Sequence, residues 1–303
     1  MDFKKISKYM LTTGAALLLA ACGGGEEAGT ESGDNAGGGD FDTSQTINVI
    51  TREDGSGTRG AFTEITGVLV ADGDTETDNT YAGATIQNST NGVMTTVAGD
   101  PVSIGYISLG SINDTVKALM INGVEPSTET VQDGSYEIAR PFNIAYSGEL
   151  SEVAQDFWTF VMSAEGQETV VEEGYVEAVS DAPAYEAADG LSGNISVVGS
   201  TSVTPVMEVL VEEYKNLNPD VTIDITSNGS SAGMTAAMDG SADIGMASRE
   251  LKEEELAELT AEALAIDGIA VIVHPDNSVE DLTTEQVRQI YTGEVTTWAD
   301  VAE

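Results

Sequence analysis

Three stretches of the chain repeat one order of events: an apolar β-rich run, a turn of Gly, Ser and Thr, then a run with helical spacing. They are INVITREDGSGTRGAF (47–62), ISVVGSTSVTPVMEVL (195–210) and IDITSNGSSAGMTAAM (223–238). A strand feeding a helix through a short turn is the building unit of an α/β fold with largely parallel sheets. The unit also carries chemistry. A helix start leaves its first backbone N–H groups unpaired and bears roughly half a positive charge, so it receives anions. Small hydroxyl residues stand at each start: Ser56 and Thr58 around Gly57, then Thr201 and Ser202, then Ser230 and Ser231. One such turn is ordinary capping. Three in one chain, with Arg52 offering a bidentate fork beside the first, point to an anion site.

The spacing predicts a helix over 57–69 and a long one over 149–174 split at Gly166. It also predicts a charged helix over LKEEELAELTAEA (251–263), followed by a strand over 266–277. Residues 180–194, SDAPAYEAADGLSGN, have the composition of a linker.

With 52 acidic and 11 basic residues the chain carries a formal charge of −41, which repels nucleic acid and anionic lipid headgroups. A small anion is not excluded, because local donors outweigh a screened distant field beyond about 8–10 Å. The N-terminus is laid out as a signal peptide: Lys4, Lys5 and Lys8, a short apolar run, then LAAC ending at Cys22. As a helix that run spans about 18 Å against a hydrocarbon core of about 30 Å, too short to cross. LAAC followed by Gly23 resembles a bacterial lipobox, with Cys22 as the lipid attachment site. Residues 1–22 are thus read as leader and 23–45, rich in Gly and acid, as a flexible tether outside the cell membrane.

GSTSVTPVMEVL, GSSAGMTAAMDGSADIGMASRELK, DGIAVIVHPDN, LTTEQVRQIYTGEVTTW and REDGSGTRGAF together resemble the phosphate-binding lipoproteins of bacterial phosphate ABC transporters. The resemblance covers nearly all of 46–303. It implies a type II periplasmic-binding-protein-like fold, two lobes with mostly parallel sheets joined by two hinge strands. It further implies a monomeric receptor that hands inorganic phosphate to a permease and ATPase complex, with no cofactor, metal or catalysis. Carried over by motif, the phosphate contacts are Arg52, Ser56, Gly57, Thr58, Thr201, Ser202 and Ser230. Asp54, Ser231 and Arg249 are further candidates, and Asp54 is implied to orient the Arg52 guanidinium.

Two departures stand out. The motif order is circularly permuted relative to the family, so one lobe becomes contiguous (140–277) and the other is built from 46–139 plus 278–303. ARPFNIAY and GIAVIVHP are the implied crossings. Arg249, in MASREL, stands where many members place an aspartate that accepts the proton of hydrogen phosphate; an arginine cannot accept. Either Asp54, Glu53 or Glu250 takes over, or selectivity widens toward sulfate. A sensor or adhesin on the same fold is a third possibility. A hydrolase reading rests on GSSAG (229–233) with Ser231, His274 and Asp267; a lone histidine closing an apolar strand gives it little support.

Overall fold

The computed structural model describes residues 41–72, 75–188 and 190–301; the leader with Cys22, and the tether as far as residue 40, lie outside them. The chain begins with β1 (Asn48–Arg52), α1 (Gly57–Ile65), β2 (Leu69–Asp72), β3 (Thr75–Asp78), β4 (Thr85–Gln87), α2 (Thr90–Ala98) and β5 (Ser103–Ser108). Short elements follow: β6 (Lys117–Ala118), β7 (Met120–Ile121) and α3 (Thr128–Gln132). Next come β8 (Ala139–Tyr146), α4 (Glu152–Val161), α5 (Ala164–Glu172) and β9 (Val176–Glu177). The last part holds β10 (Gly193–Gly199), α6 (Thr204–Leu217), β11 (Val221–Ser227), α7 (Ser230–Met238), β12 (Ile244–Ala247), α8 (Glu253–Leu256), β13 (Thr260–Val273), β14 (Asp281–Leu282) and α9 (Thr284–Thr292).

One sheet orders the strands β11-β10-β12-β8-β13-β5-β1-β4. Its two flanks are parallel, β10 with β11 and β12 on one side, β1 with β4 and β5 on the other. Its middle is antiparallel: β8 pairs with β12 and β13, and β13 with β5. Parallel strands fed by turns into helices therefore occupy the flanks, as the repeated units predict. The two largest buried cores follow the same division. One gathers Phe142, Phe157, Val197, Leu210 and Tyr214; the other gathers Val49, Phe62, Tyr106, Val271 and Trp298. β13 serves both. Leu264 and Ala265 belong to the first core, while Ile269, Val271 and Val273 belong to the second.

Several local expectations shift. The helix expected over 57–69 stops at Ile65, because Gly67 at φ +74° turns the chain into the β2–β3 hairpin. The helix expected over 149–174 breaks at Met162 and Ser163 rather than at Gly166. Ser163 caps the new helix by accepting the Gly166 amide at 3.3 Å. Gly166 lies inside α5, where a Cβ would come within 2.4 Å of the Phe160 carbonyl. The charged helix expected over 251–263 is only the four residues of α8, and the strand expected from 266 begins at Thr260. Residues 260–263 favour helix by propensity, but pairing with β8 wins. Phe41, inside the expected tether, packs edge-on against Trp298 with ring centres 6.0 Å apart.

At the crossing from one core to the other, Arg140 of β8 and Asp267 of β13 face each other in register. Both are buried, and the guanidinium donates to the carboxylate at 3.1 Å. Burial pushes the Asp267 carboxyl up to about 6, against the opposing pull of Arg140 and the Gly110 amide. A carboxyl that holds its proton more tightly folded than unfolded contributes stability below about pH 4, and that contribution is lost as pH rises through about 6. In Asp267→Asn the loss is absent. The melting temperature of the variant relative to the parent should therefore rise between pH 4 and 7, as measured by thermal unfolding in matched buffers.

Candidate anion-binding site

Four helix starts meet at one place. α1 begins at Gly57 with Ser56 as its cap, and α2 begins at Thr90 with Ser89 as its cap. α6 follows Val203 and α7 follows Gly229, neither with a side chain on its first amides. Their hydroxyls are joined. Thr58 Oγ1 lies 2.9 Å from Ser202 Oγ, which lies 3.0 Å from Thr90 Oγ1. Ser200 donates to Ser248 at 2.8 Å, and Ser248 Oγ lies 3.3 Å from Ser230 Oγ and 3.4 Å from Thr58 Oγ1. Thr58, Thr90, Ser200, Ser202, Ser230 and Ser248 are each at most 3% exposed. Gly57 makes this closeness possible: a Cβ there would lie 2.4 Å from Ser230 Oγ and 2.9 Å from Ser248 Oγ. Hydroxyls can donate or accept, so such a set can turn its protons toward an anion.

Arg52, at the end of β1, is 2% exposed and supplies the fixed charge. Its Nη2 donates to Thr201 Oγ1 at 3.0 Å. Its Nε and Nη2 both donate to the Glu53 carboxylate at 2.9 Å. Beneath it, the Tyr106 hydroxyl accepts the Arg52 amide at 3.2 Å and lies 2.8 Å from Thr51 Oγ1. The Tyr106 ring stacks on Phe62 with centres 3.9 Å apart. Burial pushes the Tyr106 phenol above the usual tyrosine range, so it stays protonated.

The network brings together Arg52, Gly57, Thr58, Thr201, Ser202 and Ser230. Ser56 sits beside it, its hydroxyl accepting the Arg59 amide at 3.3 Å. Ser231 sends its amide to the Gly55 carbonyl at 3.1 Å, which ties α7 to the first turn. Asp54 does not orient Arg52; Glu53 does, because it is the carboxylate whose two oxygens meet the fork, while Asp54 is exposed and pairs with Arg59. Arg249 is also turned elsewhere: Nη1 and Nη2 donate to the two oxygens of buried Glu255, each at 2.7 Å. Three residues escaped sequence reasoning. Thr90 opens α2 without a glycine-rich turn before it, Ser200 closes the GS pair before Thr201, and Ser248 directly follows β12. The hydroxyl after a buried strand was the signal available for Ser248. As for the hydrolase reading, His274 Nδ1 accepts the Asp276 amide, Asp267 is paired with Arg140, and no hydrogen bond links either to Ser231 among the described residues.

Removing one member of a buried ion pair strands the other, at a cost of about 3 kcal/mol. Glu255→Ala should lower unfolding stability by that order in urea titrations.

The sequence model of the PBP superfamily domain matches residues 35–165 and 184–303. The chain is 54% identical over 255 residues to phosphate-binding protein PstS 2 of Streptococcus pneumoniae, covering 84% of this chain and 87% of that one. It is 46% identical over 261 residues to phosphate-binding protein PstS 2 of Streptococcus agalactiae, covering 85% and 88%. The crystal structure of a phosphate-binding protein of a phosphate ABC transporter from Streptococcus pneumoniae TIGR4 superposes with a TM-score of 0.68 at 54% identity, over 84% of this chain and 99% of that one. The chain therefore belongs to the PBP superfamily and, within it, to the family of PstS phosphate-binding proteins.

Proposed function

We propose that this chain is an extracytoplasmic receptor that binds inorganic phosphate and delivers it to the permease and ATPase of an ABC importer, held at the membrane by lipid on Cys22. The observation that carries the reading is the convergence of four helix starts and a buried arginine on one knot of hydroxyls. Each helix start supplies free N–H donors and a partial positive charge, and each hydroxyl can add a donor. The phosphate contacts in this reading are Arg52, Gly57, Thr58, Thr201, Ser202 and Ser230, joined by Thr90 and Ser248, with Ser56 capping α1 beside them. The receptor does no chemistry on its cargo and works as a monomer.

The two cores are read as two lobes that close on the anion through β8 and β13, a hinge motion of the usual kind. The lobe division follows 46–139 plus 278–303 against 140–277, with one adjustment. Ile269, Val271 and Val273 pack in the first of these, so the second crossing is put at Gly268. The permuted order draws support from the joining segment. Tyr185 docks on the contiguous lobe, its hydroxyl donating to Asp156 at 2.6 Å and its amide to Glu165 at 2.7 Å.

Selectivity turns on Glu53, the carboxylate hydrogen-bonded to Arg52. A carboxylate accepts the proton of hydrogen phosphate and repels sulfate, which has none to give. Calorimetric titration of residues 41–303 with phosphate and sulfate across pH 5–8 tests this. Phosphate should bind, and sulfate about 100-fold more weakly or not at all. Equal binding of both would favour a general oxyanion receptor, and binding of neither would leave a sensor or adhesin on this fold. The Cβ of Gly57→Ala displaces the Ser230 and Ser248 hydroxyls from their places in the cradle. It should weaken phosphate binding on the order of 100-fold with little change in melting temperature.

A further inference from the structure

Arg59 stands in the first turn of α1, where a cation meets the positive end of the helix dipole and is disfavoured by it. Its side chain is 15% exposed, and its donors go to two separate segments, the turn after β1 and the end of β3. Nη1 donates to the Arg52 carbonyl at 3.4 Å and meets the Asp54 carboxylate; Nη2 donates to Asp78 Oδ2 at 2.8 Å. Asp78 is the last residue of β3. Burial pushes its carboxyl up, but the Thr80 hydroxyl and amide, with Arg59, outweigh burial and hold it below the usual range. The hairpin that Asp78 closes also forms a wall of a cavity of about 480 Å³. Leu69, Glu76 and Asp78 line one side of it, and Ser56 and Ser231 line the side next to the hydroxyl knot. The Arg59 guanidinium itself makes no hydrogen bond to a hydroxyl of that knot.

We propose that Arg59 is a positioning residue for anion binding: its planar fork fastens the Arg52 carbonyl and Asp54 of the cradle turn to Asp78 of the β2–β3 hairpin. Fixing the Arg52 carbonyl fixes the peptide from which the Arg52 side chain departs. Fixing Asp54 fixes the turn that presents the first amides of α1. Fixing Asp78 keeps the hairpin against the mouth of the site. A lysine cannot substitute, because an ammonium is a point charge without the two divergent arms this geometry uses. The proposal rests on the phosphate-receptor reading, and deepens it by assigning work to a cation outside the contact set.

The test is phosphate titration and stopped-flow dissociation for the parent, Arg59→Lys, Arg59→Met and Asp78→Asn, with amide hydrogen exchange on the phosphate-bound proteins. Both Arg59 variants should weaken phosphate binding about tenfold through faster dissociation, with Arg59→Lys recovering little of the loss. Exchange should rise at both 53–58 and 75–80. Asp78→Asn, which cuts one arm and leaves Arg59 in place, should raise exchange at 75–80 above all and weaken binding by about threefold. It also keeps the proposal open to test should Arg59→Met fold poorly. Parent-like affinity in Arg59→Lys would mean that charge alone acts, and would overturn the proposal. So would weakened binding with unchanged exchange at 53–58. A parent protein that binds no phosphate would sink the receptor reading and this proposal together, whereas binding by the parent with unaffected variants would sink this proposal alone.

Discussion

Bringing four helix starts together is electrostatically uphill. Each carries roughly half a positive charge, and a buried guanidinium is added at the same point. In the protein this is answered in two ways. Glu53 lies along the Arg52 fork and neutralises it, and the hydroxyls of Thr58, Thr90, Ser202 and Ser248 satisfy one another, each contact pairing one donor with one acceptor. Both answers are partial, since neither supplies a full negative charge to the helix ends. A site so assembled gains from any compact anion, and hydroxyls that pivot can adapt to it at little strain. The acidic exterior does not oppose this, because surface charges act through water and salt while the cradle acts at contact distance.

The rest of the fold holds those ends in place. Parallel flanks aim their helices at the middle of the sheet, and the antiparallel β8 and β13 join the flanks without adding a helix there. The buried Arg140–Asp267 pair sits where the two strands pass between cores. Two of its guanidinium nitrogens, Nε and Nη1, are buried without a protein partner, so the pair is poorly compensated for the desolvation it suffers. A hydrophobic pair of similar volume would hold the strands at least as firmly.

Much of this was legible from residue order. The three strand–turn–helix units folded as such, and they delivered Arg52, Gly57, Thr58, Thr201, Ser202 and Ser230 to one knot. Turn chemistry is local, so sequence carries it well. What sequence did not carry was contact between distant segments. Thr90 lies on a helix with an ordinary serine cap, and only its distance to Ser202, 112 positions away, gives it a role. The choice of Glu53 over Asp54 is a matter of which way adjacent side chains leave a turn, which residue spacing does not specify. Helix propensity misled at 260–263, where a neighbouring strand offered a full set of hydrogen bonds. Arg249 was undecided from its motif, and the deciding partner, Glu255, sits in the short helix that pattern reading had extended into a longer one.

The two ends of the described chain are joined to each other. Phe41 rests on Trp298, Thr46 bridges to Thr297, and the Ala299 amide donates to the Thr43 carbonyl at 2.7 Å. Trp298 and Val301 belong to the same core as Val49 and Phe62. Fluorophores attached near residues 41 and 301 would thus ride on one body. Energy transfer between them would report whether that core is intact; a dye pair meant to test the proposed closure needs one partner on α6 or α7.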